Sequence, residues 1–330
     1  MKRSLSGIQP SGVLHLGNYF GALKQFVDMQ NNYEGLYFIA DYHSLTSQIN
    51  PEILRKQSIN IVMDYIAAGL DPKKSTIFLQ SSVPLHTELM WILSNLTPMA
   101  LLERGHAYKD KIAKGVKPNV GLFNYPVLMA SDILIYDTDL VPVGKDQKQH
   151  IEFTRDFATR FNEFYDKEIF KLPDALILDT VATVVGTDGD KMSKSYGNII
   201  NMYVPEKELK KQVMSIVTDS TPLEKPKNPD NNITKLYSLF STEKELNIMK
   251  EKFLAGNYGY GHAKKELLER ILDYFKEQRE TRFKLENNLD YVNKILKEGS
   301  YRANEIASKK MKEVREVVGL IGGNLWKNIF

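Results

Sequence analysis

Two short stretches of the chain carry residue types suited to binding phosphate groups. The first runs from Gly7 to Asn18, where Gly, Pro and Ser precede an apolar helical pattern whose first turn holds His15 and Gly17. The free N–H groups and the dipole at a helix N-terminus favour a phosphate, and glycine lets a ligand approach the backbone. Taken alone, the stretch fits an ordinary βα turn equally well.

The second stretch runs from Gly186 to Ser195 and puts two cations on one short loop. Lys191 and Lys194 can reach phosphate oxygens, and the hydroxyls of Ser193 and Ser195 add hydrogen-bond donors. An exposed, charged surface loop would have the same composition. The presence of both stretches in one chain favours a phosphate site over two unrelated loops.

The composition bounds the class of protein. With 330 residues, 42% of them hydrophobic and 26% charged, the chain is typical of a soluble protein with one large and one smaller domain. It has no apolar run near the roughly 18 residues of a membrane helix, and its N-terminus lacks the apolar segment of a signal peptide. The absence of cysteine excludes disulfides, thiolate catalysis and Cys-type zinc sites. We expect a cytoplasmic protein.

The charge is unevenly distributed. Residues 201–330 hold 24 Lys and Arg against 19 Asp and Glu, a net +5, whereas residues 1–200 hold 20 against 22, a net −2. A basic second half favours a polyanionic partner, although a solvated helical surface accounts for the difference about as well.

The elements that position these residues follow a repeated β-α alternation up to about residue 200, which predicts an α/β fold: a Rossmann-like, doubly wound parallel sheet. The apolar runs predict strands at 36–40, 76–79 and 140–143 and helices at 51–69, 85–96 and 127–136, followed by a polar helix at 147–164. Two further apolar runs, 175–178 and 181–185, precede the Gly186 to Ser195 loop. Such sheets bind ligands beyond the carboxyl ends of their strands. We therefore expect the site among segments 7–18, 41–47, 81–86 and 144–150.

Beyond residue 200 the pattern becomes helical, with polar connections that hold Gly and Pro. The predicted helices span 204–217, 233–240, 244–254, 263–283, 289–296 and 303–318. The chain thus divides into a Rossmann-type domain at 1–200, which ends in the loop 186–196, and a mostly helical domain at 201–330. The last helix is a candidate to pack back on the first domain.

At this point the sequence resembles a known family. Residues 191–195 match the KMSKS signature of class I aminoacyl-tRNA synthetases at every position, and His15-Leu16-Gly17-Asn18 resembles their HIGH signature with Asn in place of the last His. Pro-Ser-Gly before that signature and Gly-Asn within it are typical of the tryptophanyl branch, bacterial type. Segments 125–134 and 141–150 are similar to the same branch. The likeness is strong to about residue 220.

The resemblance implies a two-step ligase reaction. L-Tryptophan and ATP would give tryptophanyl-adenylate and pyrophosphate, and the tryptophan would then pass to the 3′-terminal ribose of tRNA(Trp). The first step is an in-line attack of an already ionised carboxylate on the α-phosphate, so positioning and charge stabilisation matter more than a protein nucleophile. Mg²⁺ would accompany the ATP, held mainly by phosphate oxygens and not by a dedicated protein cage. A homodimer and anticodon binding by the helical domain are further expectations.

The resemblance also assigns residues to the nucleotide. His15, Asn18, Lys191 and Lys194 would be catalytic, with His15 donating toward the phosphates; a helix-capping or core histidine is the alternative. The expected ATP-binding residues are Gln9, Pro10, Ser11, Gly17, Asn18, Lys111, Gly144, Lys145, Asp146, Ala182, Lys191, Met192, Ser193, Lys194 and Ser195. A merely solvated side chain is the alternative for Lys111.

Asp132 is the expected centre of the amino-acid pocket. It lies in an apolar helical run, where an unpaired carboxylate is costly, so it is either salt-bridged or functional. The family pattern sets it against the indole N–H, where it would reject phenylalanine. The other expected tryptophan-binding residues are Met129, Tyr125, His43, Gln147, Val141, Val143 and Leu5. Core packing is the alternative for Met129, Val141 and Val143, and Leu5 stands where some relatives carry an aromatic residue.

Three other functions remain open at the level of sequence. A tyrosyl-tRNA synthetase shares the fold and size but differs in the pocket segments. A nucleotidyltransferase with a HIGH-like helix would usually be shorter and lack the helical domain. An inactive paralogue is disfavoured by the presence of Asp132, Lys191 and Lys194.

Overall fold

The computed structural model describes residues 1–47, 50–105, 108–109, 115, 119–144, 148–177 and 184–320. Its centre is a five-stranded sheet in the order β3-β2-β1-β4-β5, with every paired neighbour parallel. The strands are β1 Arg3–Ile8, β2 Glu34–Ile39, β3 Thr76–Leu79, β4 Leu140–Val143 and β5 Asp174–Ile177. This order confirms the predicted Rossmann-like, doubly wound sheet.

The strand order reverses between β1 and β4. Chain connections leave these two neighbouring strands toward opposite sides, so a crevice opens beyond their carboxyl ends, and ligands of doubly wound folds bind at such a point. β1 continues into the Gly7 to Asn18 stretch, and β4 ends one residue before Gly144. The first predicted phosphate-binding stretch therefore lies at the edge of this crevice.

The helices of the first half flank the sheet. The first, α1, is continuous in three parts, Leu16–Asn18, a π-helical segment Tyr19–Leu23, and Lys24–Met29. The others are α2 Asp41–Ser44, α3 Pro51–Ala67, α4 Leu85–Ser94, α5 Met99–Glu103, α6 Val120–Leu134 and α7 Lys148–Tyr165. The sequence prediction began α6 seven residues late, at 127, and did not include α5.

Local sequence signals explain where two of these helices begin. The side chain of Asn50 accepts a hydrogen bond from Glu52 N at 2.8 Å, and Pro51 occupies the first helical position, where its missing N–H costs nothing. Asn119 caps α6 by accepting from Leu122 N at 2.7 Å. The cap at Asn119 defines the true start of the helix that carries Met129 and Asp132.

The second half is helical from residue 206. Its helices are α8 Glu206–Met214, α9 Asn232–Tyr237, α10 Glu243–Ala255, α11 Tyr260–Tyr274, α12 Lys276–Glu286 and α13 Leu289–Val318. The single helix predicted at 263–283 is wrong: the chain breaks at the fully buried Phe275, whose φ of −97° and ψ of 10° leave the helical range.

The two helices predicted at 289–296 and 303–318 are one helix of 30 residues, α13. The polar stretch around Gly299 resembles a connection in sequence, but Gly299 is buried against the backbone of β3: a Cβ atom there would lie 1.9 Å from Ile77 O. Ser300 Oγ and Ser82 Oγ are 2.7 Å apart, and Arg315 Nε donates to Glu88 Oε1 at 2.7 Å. The last helix thus packs along the sheet and α4.

A buried ion pair joins the two halves of the chain. Arg282 Nε on α12 donates to Asp64 Oδ1 on α3 at 2.6 Å, and both side chains are at most 5% exposed. Burial raises the pKa of Asp64 to about 6 despite the attraction of Arg282 and Lys194. Arg282 also donates to Asn60 Oδ1 at 3.1 Å. In the part of the chain that the structure describes, no helix is long and apolar enough to span a membrane.

Candidate active site

The turn after β1 is shaped by glycine and by a cap. Gly12 has φ of +111°, a conformation that a residue with a side chain adopts only at a cost. His15 precedes the first helical residue, and its backbone N–H donates to Asn18 Oδ1 at 3.2 Å. Leu16 N donates to Ile200 O at 3.0 Å, which ties the start of α1 to the segment after the KMSKS loop. Asn18 therefore has a structural task in addition to its predicted role toward ATP.

His15 is 5% exposed, and its Nδ1 atom has no hydrogen-bond partner among the described residues. Burial, helped by the positive charge of Lys194, lowers the pKa of His15 to about 4. The imidazole is therefore neutral at pH 7. A neutral imidazole with one free polar atom can still donate a hydrogen bond to an arriving phosphate oxygen.

The KMSKS loop is held by a residue that the sequence analysis missed. Asn198 is 2% exposed; its Oδ1 accepts from Ser193 N at 2.8 Å, and its Nδ2 donates to Asp188 Oδ1 at 2.8 Å. Ser193 Oγ and Ser195 Oγ lie 2.8 Å apart. The sequence signal for Asn198 is its position three residues beyond the motif, and this position alone does not distinguish it from a surface amide.

The two stretches predicted to bind phosphate meet. A Cβ atom on Gly12 would lie 3.7 Å from Lys194 Nζ, and one on Gly17 would lie 3.5 Å from Met192 Cβ. Lys194 thus reaches across the turn beside the N-terminus of α1. Burial lowers the pKa of Lys194, and the charge of Asp64 partly offsets that effect. Lys191 and Ser195 are exposed, as are Gln9 and Ser11 on the opposite side, whereas Pro10 is buried.

A cavity of about 350 Å³ opens at the carboxyl ends of β1 and β4. It is lined by all seven predicted tryptophan-binding residues that the structure describes: Leu5, His43, Tyr125, Met129, Asp132, Val141 and Val143. Gln9 and Gly144, predicted to bind ATP, line it as well. Residues far apart in the chain thus form one pocket at the point where the strand order reverses. The volume suits a small organic ligand.

Asp132 is 1% exposed and is both paired and part of the cavity wall. Its Oδ2 lies 2.8 Å from His43 Nε2, while its Oδ1 lies 2.6 Å from His86 Nδ1 and accepts from Gln80 Nε2 at 2.7 Å. Burial acts to raise the pKa of Asp132, but the hydrogen bonds from His43 and His86 outweigh it and hold the pKa below its usual value. Asp132 is a fixed carboxylate.

Gln80 and His86 are two polar residues of this site that the sequence analysis did not name. Both are fully buried. His86 lies within segment 81–86. Gln80 directly precedes that segment and is the first residue after the carboxyl end of β3. The rule for parallel sheets thus indicated their neighbourhood, and a histidine in that segment was the available signal.

The other cavity residues supply an aromatic and apolar wall. The ring centroids of His43 and Tyr125 are 6.5 Å apart, nearly perpendicular. Tyr125 Oη is buried with no hydrogen-bond partner among the described residues, and burial raises the pKa of Tyr125 to about 12. Met129 lies one helical turn before Asp132, on the same face of α6. The predicted residues Lys111, Lys145, Asp146, Gln147 and Ala182 lie outside the described residues.

A parallel sheet with this strand order, a capped turn at its switch point and a KMSKS loop against that turn define a class I tRNA synthetase. A family model for class I tRNA synthetases of tryptophan and tyrosine (W and Y) matches residues 2–276. The match spans the whole sheet and the first helices of the second half.

Individual relatives are more specific. A tryptophan–tRNA ligase of Fusobacterium nucleatum is 67% identical over 98% of this chain and 99% of its own length. One from Rhodopirellula baltica is 50% identical over 96% of this chain and 99% of its own. The crystal structure of tryptophanyl-tRNA synthetase from Campylobacter jejuni, complexed with ADP and tryptophan, is 50% identical, with a TM-score of 0.92 over 96% of this chain and 100% of that one. The chain belongs to the class I tRNA synthetase family and, within it, to the tryptophan–tRNA ligases.

Proposed function

We propose that the cavity binds L-tryptophan and that the neighbouring turn and loop bind ATP, so that the site forms tryptophanyl-adenylate and pyrophosphate. The observation that carries this proposal is the buried carboxylate Asp132 in the wall of a mainly aromatic and apolar cavity, next to the contact between Gly12 and Lys194. An indole ring has one N–H donor on an apolar body, and this wall offers a carboxylate acceptor beside the apolar side chains of Met129, Val141 and Val143.

The pocket residues divide the recognition of tryptophan among them. Asp132 accepts the indole N–H, and Met129 lies along the ring plane. The Tyr125 hydroxyl, which has no hydrogen-bond partner among the described residues, binds the ammonium or carboxylate of the amino acid together with Gln147. Leu5, Val141 and Val143 enclose the apolar edge of the ring, and a phenylalanine in their midst would leave Asp132 without its partner.

The phosphate side supplies positioning and charge. Lys194 and Lys191 approach the phosphates of ATP from the KMSKS loop, while backbone N–H groups of Gln9 to Gly12 and the N-terminus of α1 approach from the other side. The tryptophan carboxylate, already ionised, attacks the α-phosphate, and pyrophosphate leaves with its charge neutralised by the lysines. His15 donates a hydrogen bond as a neutral imidazole. An arriving triphosphate raises the pKa of Lys194 again, which keeps that ammonium charged.

Magnesium fits this site as a partner of ATP. The described residues around the contact between Gly12 and Lys194 offer ammonium groups, hydroxyls and backbone N–H groups, and the nearby Asp64 is engaged with Arg282. Mg²⁺ prefers hard oxygen ligands and keeps several waters. Phosphate oxygens of ATP would therefore be its main ligands, where it would neutralise charge as pyrophosphate departs.

Two partners complete the proposal. The second step transfers tryptophan to the 3′-terminal ribose of tRNA(Trp), and the basic helical half at 201–330 binds the anticodon through phosphate contacts and base stacking. A second copy of the chain covers an apolar groove lined by Leu45, Met90, Gly121, Tyr125 and Leu128. Trp91, next to Met90, is 71% exposed on the same helix and so belongs to a surface rather than to the core.

The test is amino-acid-dependent ATP–pyrophosphate exchange by the purified full chain with Mg²⁺. We expect tryptophan to drive exchange and phenylalanine to be at least about 100-fold poorer by kcat/KM, because its ring offers no donor to Asp132. Tyrosine should be similarly poor, because its hydroxyl does not lie at the position of the indole N–H. Chelation of Mg²⁺ should abolish the exchange. Exchange driven by tyrosine would make the chain a tyrosine enzyme, and exchange with no amino acid would refute the proposal.

A further inference from the structure

A chain of hydrogen bonds leads from the cavity wall into the core. Asp132 Oδ1 is 2.6 Å from His86 Nδ1, and His86 Nε2 is 2.7 Å from Tyr136 Oη. All three side chains are at most 1% exposed. Tyr136 and Asp132 lie on one stretch of chain four residues apart, whereas His86 comes from α4, so that the imidazole bridges two elements.

The direction of the proton in this chain follows from the partners. The only hydrogen-bond partner of the Tyr136 hydroxyl among the described residues is His86 Nε2. Burial and the charge of Asp132 keep the pKa of Tyr136 well above its usual value, so the hydroxyl stays protonated and donates. His86 Nε2 therefore accepts, and the ring proton lies on Nδ1, from which it is donated to Asp132.

Three donors among the described residues contact the carboxylate of Asp132, which leaves it one accepting position in this part of the chain. A carboxylate accepts about four hydrogen bonds, two at each oxygen. His86 and Gln80 occupy both positions of Oδ1, and His43 occupies one position of Oδ2. The remaining position is on Oδ2, and Asp132 lines the cavity while His86 and Gln80 do not.

We propose that His86, oriented by Tyr136, is a positioning residue for substrate specificity: it fixes Asp132 so that Oδ2 is the sole acceptor for the substrate N–H. This inference rests on the proposed function, since it takes the substrate to be tryptophan. His86 does not touch the substrate; it acts through Asp132. Because His86 lies on α4, the orientation of Asp132 depends on the position of that helix.

The loss of His86 has two physical consequences. Asp132 loses a hydrogen bond to its charged form, so burial raises the pKa of the carboxyl group toward protonation. The carboxyl group also gains freedom to rotate, because Oδ1 retains only Gln80. A protonated or rotated Asp132 no longer offers a fixed acceptor, and the preference for an N–H donor is lost while the apolar contacts to the ring persist.

The test compares tryptophan with β-(3-benzothienyl)alanine, which has sulfur in place of the indole N–H. The readout is the ratio of kcat/KM for the two substrates in ATP–pyrophosphate exchange. We expect His86→Leu to lower this ratio by about 10-fold or more, the value of a hydrogen bond to a charged group. His86→Asn, which keeps an N–H donor near the position of Nδ1, should retain most of the ratio.

Phe78→Leu is the matched control. The Phe78 ring lies 6.4 Å from that of His86, in the same core, and outside both the cavity and the hydrogen-bond chain. It should lower thermal stability through packing and leave the ratio unchanged. A folded His86→Leu with an unchanged ratio, or an equal loss of ratio in Phe78→Leu, overturns the inference.

Tyr136→Phe provides a second route if His86→Leu does not fold. This substitution removes the donor that fixes the tautomer of His86, so we expect the ratio to fall by less than in His86→Leu. We also expect the acid limb of the pH profile of kcat/KM for tryptophan to shift to a higher pH than in the wild type. An unchanged ratio and pH profile in Tyr136→Phe overturns the inference. Wild-type protein that shows no exchange with tryptophan refutes the proposed function itself, which is a distinct result.

Discussion

At the scale of single residues, His15 combines burial with a nearby cation. Both features disfavour the imidazolium form, and the result is a histidine that stays neutral through the physiological range. Neutrality suits its place beside Lys194, because a second positive charge there would repel the lysine that we propose to approach the phosphates of ATP. In acid the free energy of unfolding falls, because His15 binds a proton more readily in the unfolded chain than in the folded protein.

We predict a pH-dependent stability that originates at His15. The folded pKa is about 4 and the unfolded value 6.5, so the contribution of His15 to folding is complete above pH 6.5 and is lost as the pH falls to 4, by about 3 kcal/mol in total. Denaturant unfolding of wild type and His15→Asn at pH 7, 5.5 and 4.5 measures this. The stability of wild type relative to the variant should fall with the pH.

His262→Asn is the control, since His262 is exposed on α11 and should not change the profile. Parallel pH profiles for wild type and His15→Asn would show that burial does not suppress the charge of His15.

The same scale explains which site residues the sequence could reveal. Lys194 and His15 belong to continuous motifs, and Asp132 is conspicuous as a carboxylate in an apolar helix. Gln80 and His86 could not be assigned, because their partner Asp132 lies 52 and 46 residues away and only folding brings the groups together. Asn198 was hidden for a different reason: its task is to hold the backbone of the loop, which leaves no residue pattern.

At the scale of elements, helix α13 illustrates how packing overrides local composition. The sequence around Gly299 has the polar, glycine-containing character of a connection, and periodicity placed a break there. The helix instead continues, because its closest approach to the sheet falls at Gly299, where the absence of a side chain lets α13 reach the backbone of β3. Strands β2, β3 and β4 and helices α3 and α4 were predictable from their apolar runs, whereas this contact between two distant segments was not.

We predict that Gly299→Ala destabilises the protein despite the better helix propensity of alanine. A methyl group at Gly299 would lie 1.9 Å from Ile77 O, so the helix or the strand must move, and overpacking of this kind costs roughly 1–3 kcal/mol. Thermal unfolding should show a lower Tm. Gly261→Ala is the matched control: Gly261 is also helical, on α11, with nothing within 4 Å of its Cβ position. A Tm change equal to that of the control would contradict the packing argument.

At the scale of the whole molecule, the two halves of the chain are one packed body around the site. Arg282 of the helical half pairs with Asp64 on α3, and Gln278 Nε2 donates to Tyr19 Oη on α1 at 3.1 Å. The Arg282–Asp64 and Gln278–Tyr19 contacts join residues more than 200 positions apart, so no local sequence pattern predicts them. The composition change near residue 200 predicts a separate helical domain, and the division of functions at this boundary stays a prediction.

The outer surface carries the last prediction, which concerns a second copy of the chain. Trp91 and Val120 are 71% and 75% exposed, and they adjoin the groove lined by Met90 and Gly121. An exposed apolar patch of large side chains is costly in water and typical of an interface. We expect light scattering coupled to gel filtration to give twice the 37.8 kDa chain mass for the wild type, and Trp91→Glu to shift it toward the monomer, because a carboxylate buried at the interface is strongly unfavourable. Leu254→Glu, at a 55% exposed apolar residue of α10 in the helical half, should leave the mass unchanged. A monomeric wild type would contradict the dimer, and dissociation by Leu254→Glu alone would place the interface on the helical half.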